Sequence, residues 1–204
     1  ESLGATVEEV EMPNLKYVVS SYYLIASSEA SANLARFDGI RYGYRAENAK
    51  NLEELYKKSR GEGFGDEVKR RILLGTYVLS AGHYDDYYVK AQKLRRLVSD
   101  DVQRILTDYD LIIGPTSTTP AHKYDEVEIE GTKEYKNDIL TIPANLVGVP
   151  SLSIPCGLTE DNRPIGMQLI GNHFEERKIY NAAYQFETLY NLHEELKNLT
   201  MGAE

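Results

Sequence analysis

Side chains able to attack, relay a proton or hold a metal are sparse in this chain, and their surroundings decide what they can do. Cys156 is the one cysteine among 204 residues. It follows an apolar run and Pro155, with neither a histidine nor a helix start beside it, so it reads as structural. A single cysteine also excludes an internal disulfide and a cysteine metal centre. His83, His122, His173 and His193 share no metal-ligand spacing. Hydroxyls are more plentiful. Ser20–Ser21 and Ser27–Ser28 lie in a helical, glycine-free stretch, and Thr116 to Thr119 lacks both glycines and a paired lysine. An activated serine needs a base and closely approaching backbone N–H groups for an oxyanion, and none of these places offers both. The tyrosine-rich run Tyr84 to Lys90 has rings for base stacking, but Asp85 and Asp86 would repel phosphates. Helix packing or a protein contact is the expected use.

The elements that must position any site centre on Asp110 to Gly171. Three short apolar runs there, LIIG, SLSIP and IGMQLIG, are bounded by Pro or Gly. Each is too short for a helix and has the punctuation of a buried strand. Pro115, Pro150, Pro155 and Pro164 fall at the edges of these runs, where a missing N–H does least harm to a ladder. The fold class expected is α/β, a mixed β-sheet covered by helices. Upstream, residues 6–11 alternate like a short strand, and Leu15 to Arg36 reads as a helix whose small residues Ala26, Ala30 and Asn33 admit a close neighbour. Gly39 and Gly43 turn a loop. Asn51 and Glu54 are spaced like a capping box, GEGFG breaks the chain, and helices are expected over 66–80 and 84–106. Residues 122–136 read as a surface loop, 139–147 as a short helix, and 175–190 as an amphipathic helix with Ile179, Ala182, Ala183 and Phe186 on one face. The tail beyond it is expected to fray.

Composition bounds the setting. The net charge is −9 and the pI about 5.1; the basic clusters Lys69–Arg71 and Lys93–Arg96 are flanked by acid. A surface binding nucleic-acid phosphates by itself would carry a basic stripe, so any nucleic acid is expected to be held by a partner. No apolar run approaches the ~20 residues that span a bilayer, which argues against a membrane partner. The chain opens on ESLGATVEEVE, without Met or a signal peptide. That suggests the middle of a longer protein, and the single cysteine makes a reducing, cytoplasmic setting the default.

The runs DLIIGPT, VGVPSLSIPCG and RPIGMQLIG resemble the C-terminal half of the amidase signature family. The stretch from Ser21 to Arg45, SYYLIASSEASANLARFDGIRYGYR, narrows the likeness to the glutamine-hydrolysing subunits of bacterial tRNA-dependent amidotransferases. The resemblance implies that residues 1–204 are the C-terminal lobe of an amidase domain, a partial amidase-signature fold. It implies a parent that hydrolyses glutamine and passes ammonia to convert Glu-tRNA(Gln) into Gln-tRNA(Gln). Such enzymes use a Ser–Ser–Lys set in a Gly/Ser-rich stretch, which these residues do not contain, so no catalytic residue is expected here and the chain alone should be inert. The partners implied are the N-terminal half of the same subunit, a B subunit expected to hold ATP and Mg²⁺ and to engage tRNA, and a C subunit bracing the two. No cofactor or metal is expected in this chain.

What the chain is expected to keep is the reading of substrate. Glutamine carries an α-carboxylate and an α-ammonium, and an arginine fork suits the first. The resemblance places the carboxylate-binding arginine in EVKRRILLG and the ammonium-binding aspartate, Asp138, in YKNDIL. With ~100° per residue, Val68, Ile72, Gly75 and Leu79 share a face, and Arg71 flanks it about 60° from Val68 while Arg70 points away. Arg71 is therefore the inward candidate. Asp138 precedes an apolar helical run, so an N-cap role competes with a ligand role. Tyr22 resembles the family's pocket tyrosine, with Tyr23 the alternative and core packing the plainer use of either; Glu29 lies on the same face. Two rivals stand beside this: a family hydrolase acting on another amide, whose acyl pocket needs no Arg–Asp pair, and a non-catalytic binding or scaffold lobe.

Overall fold

The computed structural model describes residues 1–121 and 137–191, with 194, 196 and 197. The chain gathers into two compact units, Ser20–Leu94 and the pair of segments Glu1–Val19 and Arg95–Glu204. The expected loop over 122–136 and most of the C-terminal tail lie outside the described residues.

The first unit is helical. Helix α1 (Val18–Leu34) follows a 3-10 turn at Leu15–Tyr17. Helix α2 (Leu52–Gly63) starts at Asn51, whose side chain accepts from the Glu54 N–H at 2.8 Å. The Glu54 carboxylate reaches back one residue further than a strict capping box, accepting from the Lys50 N–H at 2.8 Å. Helix α3 (Asp66–Val78) begins just past Phe64 and Gly65. Its Gly75 lies on α1: a Cβ there would stand 2.0 Å from the Ser27 carbonyl oxygen and 2.7 Å from the Ser31 Cβ. The close approach expected at Ala26, Ala30 and Asn33 thus falls on Ser27 and Ser31, because the glycine of α3 selects the adjoining stripe. A π-helical turn (Tyr84–Val89) then widens the start of α4 (Lys90–Asp108).

The second unit holds the sheet. Strands β1 (Ile112–Pro115), β2 (Ser151–Leu158) and β3 (Pro164–Ile170) pair in the order β1–β3–β2, antiparallel throughout the described ladders. The prolines follow the rule: Pro164 opens the central strand, Pro115 ends an edge strand, and Pro155 lies in the other edge strand beside a bulge that leaves Cys156 as the extra residue. Helix α5 (Ile142–Val147), preceded by a 3-10 turn at Asp138–Leu140, ends at Gly148 with φ 80°. Arg95 Nε donates to the Leu146 carbonyl at 2.7 Å and ties α5 to α4.

Residues paired across a ladder share a face, which sorts this sheet into two. Ile154 and Leu169 turn to helix α6 (Glu176–Tyr190), where Ile179 and Ala183 complete a buried cluster with Leu152, Met167 and Phe186 around it. Full burial of one such aliphatic side chain contributes roughly 1.5–3 kcal/mol. The other face sets Ile112, Ile170 and Ser151 in one row and Gly114, Gln168 and Ser153 in the next, so its polar groups are Ser151, Ser153 and Gln168. Residues 6–11 form no strand: they are exposed throughout and pair with no ladder among the described residues.

Candidate functional site

Arg71 stands on α3, flanking the buried Gly75 and Val78. Its side chain is 37% exposed, against 65% for Arg70, as helical spacing predicts. Arg71 Nε donates to Glu67 Oε1 at 3.0 Å, and Arg70 pairs with the other oxygen of the same carboxylate. The guanidinium carbon of Arg71 lies 5.7 Å from the centre of the Tyr23 ring, within cation–π range. Tyr23 in turn meets Tyr22 edge-on, centroids 5.2 Å apart. Glu67 raises the Arg71 pKa above its ordinary value, against a smaller opposing effect of burial. The Glu67 bond uses Nε. Among the described residues the Nη1–Nη2 end of the fork meets no carboxylate other than Glu67, and an arginine oriented by Glu67 and by the ring suits a second one.

Tyr22 and Arg71 are therefore brought together, and Tyr23 is the ring in direct contact with the charge. Glu67 is the member that sequence reasoning did not single out; its spacing of three and four from the two arginines was the signal. Glu29 accepts from the Tyr88 hydroxyl at 3.1 Å and from Asn33 at 3.4 Å. It serves those two partners.

Asp138 belongs to the other unit, half-buried as the first residue of the 3-10 turn. Asn137, not Asp138, occupies the N-cap position, and its side chain makes no capping bond. The Asp138 carbonyl accepts from the Thr141 N–H at 3.0 Å and hydroxyl at 3.2 Å. Asn137 Oδ1 accepts from Thr118 Oγ1 at 3.1 Å. Two recesses lie in this unit, and Asp138 lines neither. One, about 400 Å³, is lined by Thr116, Thr118, Thr119, Ser153 and Thr159 among others, with no charged side chain. The second, about 410 Å³, is lined by Thr141, Asn145, Ser151 and Gln168. Thr116 and Ser153 hydroxyls lie 2.6 Å apart across the strands. Gln168 takes the Ser151 hydroxyl at 3.1 Å and donates to the Leu140 carbonyl at 2.9 Å. Hydroxyls and amides of this kind can orient a polar ligand.

Cys156 is a half-buried free thiol at the bulge. His83 stacks beside Tyr77 at 4.2 Å and Tyr87 at 5.8 Å. His122 and His193 lie outside the described residues. Among the described residues no group of acidic, histidine or cysteine side chains is placed to hold a metal ion, and no helix is long and apolar enough to cross a membrane.

This fold, a small antiparallel sheet with helices and a polar recess, is that of the amidases. The amidase family model matches residues 1–180, and the chain belongs to that family. It is 60% identical over 199 residues to the A subunit of glutamyl-tRNA(Gln) amidotransferase from Macrococcus caseolyticus, and 56% identical to its counterpart from Oceanobacillus iheyensis. Each match covers 98% of this chain and 41% of the relative. Among solved structures, the A subunit of the same enzyme from Thermotoga maritima superposes with a TM-score of 0.59 at 41% identity, over 85% of this chain and 32% of that one. A bacterial aryl acylamidase superposes with a TM-score of 0.67 at 23% identity, over 93% of this chain and 37% of its own. The chain thus spans about two-fifths of the length of the curated relatives it matches.

Proposed function

We propose that this chain is the substrate-reading portion of a glutamine-hydrolysing amidase subunit. The ammonia that subunit releases would convert Glu-tRNA(Gln) into Gln-tRNA(Gln). The observation that carries this reading is Arg71, held at Nε by Glu67 and by the Tyr23 ring, with its fork end available to an α-carboxylate. An apolar acyl pocket has no use for such a group. The names of the 60% and 56% identical relatives point the same way.

In this reading Arg71 binds the α-carboxylate, Tyr22 and Tyr23 form the wall beside it, and Asp138 receives the α-ammonium. The nucleophile and its proton relay, a Ser–Ser–Lys set, come from residues of the parent subunit outside this chain. ATP, Mg²⁺ and tRNA are engaged by a B subunit, and a C subunit braces the assembly, in the cytoplasm. In this reading the chain alone releases no ammonia.

The test is ammonia release from L-glutamine by the purified chain, alone and with the N-terminal portion of the subunit supplied in trans. Silence alone and activity on complementation are expected. In the complemented enzyme Arg71→Ala should raise KM for glutamine by about 10–100-fold, the worth of a charge-assisted hydrogen-bonded pair. Hydrolysis by the chain alone, or an Arg71→Ala enzyme with unchanged KM, would overturn the reading.

A further inference from the structure

Gln168 stands in the middle of the central strand β3 and is 6% exposed. The adjoining row of the same face buries Ile170 to 5% exposure, so burial there does not itself call for an amide. A buried amide is costly unless its polar atoms find partners. Gln168 has one at each end. Its Oε1 accepts from the Ser151 hydroxyl at 3.1 Å, and its Nε2 donates to the Leu140 carbonyl at 2.9 Å, 28 residues away. A carbonyl can only accept, so the end of the amide that faces Leu140 is the nitrogen.

Leu140 closes the 3-10 turn that Asp138 opens. So short a stretch of 3-10 helix has little stability of its own, and the N-cap Asn137 makes no capping bond. The turn is instead held from outside on both sides of Asp138. Before it, Asn137 Oδ1 accepts from Thr118 Oγ1 at 3.1 Å. After it, the Leu140 carbonyl takes Gln168 Nε2. Within it, the Asp138 carbonyl accepts from the Thr141 N–H at 3.0 Å. Thr118 follows β1 and Gln168 lies on β3, and these two strands are paired, so the turn takes its position from the sheet. Thr118, Asp138 and Gln168 all belong to the sheet-bearing unit.

We propose that Gln168 and Thr118 are positioning residues for glutamine recognition: they fix, through Leu140 and Asn137, the turn that carries Asp138. The proposal rests on the reading in which Asp138 receives the α-ammonium. Gln168 and Thr118 act through that carboxylate and not on the substrate. A charge-assisted hydrogen bond is short and directional, and a displacement of about 1 Å at a substrate-positioning group can cost about 100-fold. The loss falls on binding rather than on bond breaking, because in that reading the nucleophile and its relay come from residues outside this chain.

The test measures glutamine hydrolysis by the full-length subunit containing this chain, in its amidotransferase. Asp138→Asn should raise KM for L-glutamine by about 10–100-fold. Gln168→Met, which keeps the length of the side chain and loses the donor, should raise KM by about tenfold with kcat within about twofold. Added to Asp138→Asn, Gln168→Met should raise KM by less than about twofold more, since a shifted turn matters only while it carries the carboxylate. Thr118→Val, at an exposed position, should raise KM by about threefold with the same lack of additivity. It decides the matter if Gln168→Met lowers the thermal melt. An unchanged KM in Gln168→Met, or in Thr118→Val where that variant decides, overturns the proposal. So does an equal rise with and without the Asp138 carboxylate, which is what a general loosening of the fold would give. An Asp138→Asn enzyme with unchanged KM removes the reading of Asp138 and the proposal with it.

Discussion

The corner around Arg71 and the polar face of the sheet are built by opposite means. In the first, the partners of the charge are three or four residues away on the same helix, Glu67 to Arg70 and Arg71, with one ring added from α1. In the second, the meeting side chains are far apart in sequence: Thr116 and Ser153 are separated by 37 residues, Gln168 and Leu140 by 28. The helical corner presents a fixed positive charge, whereas the sheet face presents neutral hydroxyls and an amide. The first suits recognition of an anion; the second suits alignment of a polar group by several weak bonds. The two kinds of site should fail differently when disturbed.

The largest effect is expected at Gly75. A side chain there collides with the Ser27 carbonyl, a backbone atom that cannot step aside, so Gly75→Val should destabilise the helical unit by more than about 3 kcal/mol. A urea melt would show it, and a near-normal midpoint would mean that the α1–α3 contact does not hold the Arg71 corner together. The sheet face should be more forgiving. Thr116→Val removes one hydroxyl from the pair with Ser153 and should cost about 1 kcal/mol, read as a small fall in the same midpoint. A loss as large as that at Gly75 would erase the distinction between the two regions.

A third effect is a pH dependence belonging to the helical unit. The Arg41 and Ile40 N–H groups hold the Asp38 pKa down, from 3.8 to about 2. A depressed carboxylate contributes stability that is complete above its unfolded value and lost as pH falls through its folded value. Stability should therefore decline from about pH 4 towards pH 2, and Asp38→Asn should flatten that part of the profile. Thermal melts across this window would check it; an unchanged slope would show that the carboxylate does not brace the loop.

Much of this fold could be read from the chain. The Pro- and Gly-bounded runs of residues 110–171 became β1, β2 and β3, with each proline at an end or on an edge strand. The Asn51–Glu54 spacing marked a helix start, and the stripe of Ile179 and Ala183 became the buried face of α6. These are local signals, set by the 3.6-residue and 2-residue periods and by proline's missing donor. Residues 6–11 misled because alternation describes only the faces of a strand; a strand also needs a neighbouring edge to take its hydrogen bonds. The Tyr84 turn was legible as helix but not as π-helix.

For the candidate site, the division is the same. The sequence by itself chose Arg71 over Arg70, because the side of a helix on which a residue falls follows from counting. Family likeness marked Tyr22 and Asp138. Only the tertiary structure decided that Tyr23 lies against the Arg71 charge, that Asn137 occupies the cap beside Asp138, and that Thr116 meets Ser153. Those outcomes depend on helix packing and strand register. Both are settled by the fit of whole surfaces rather than by the spacing of a few residues.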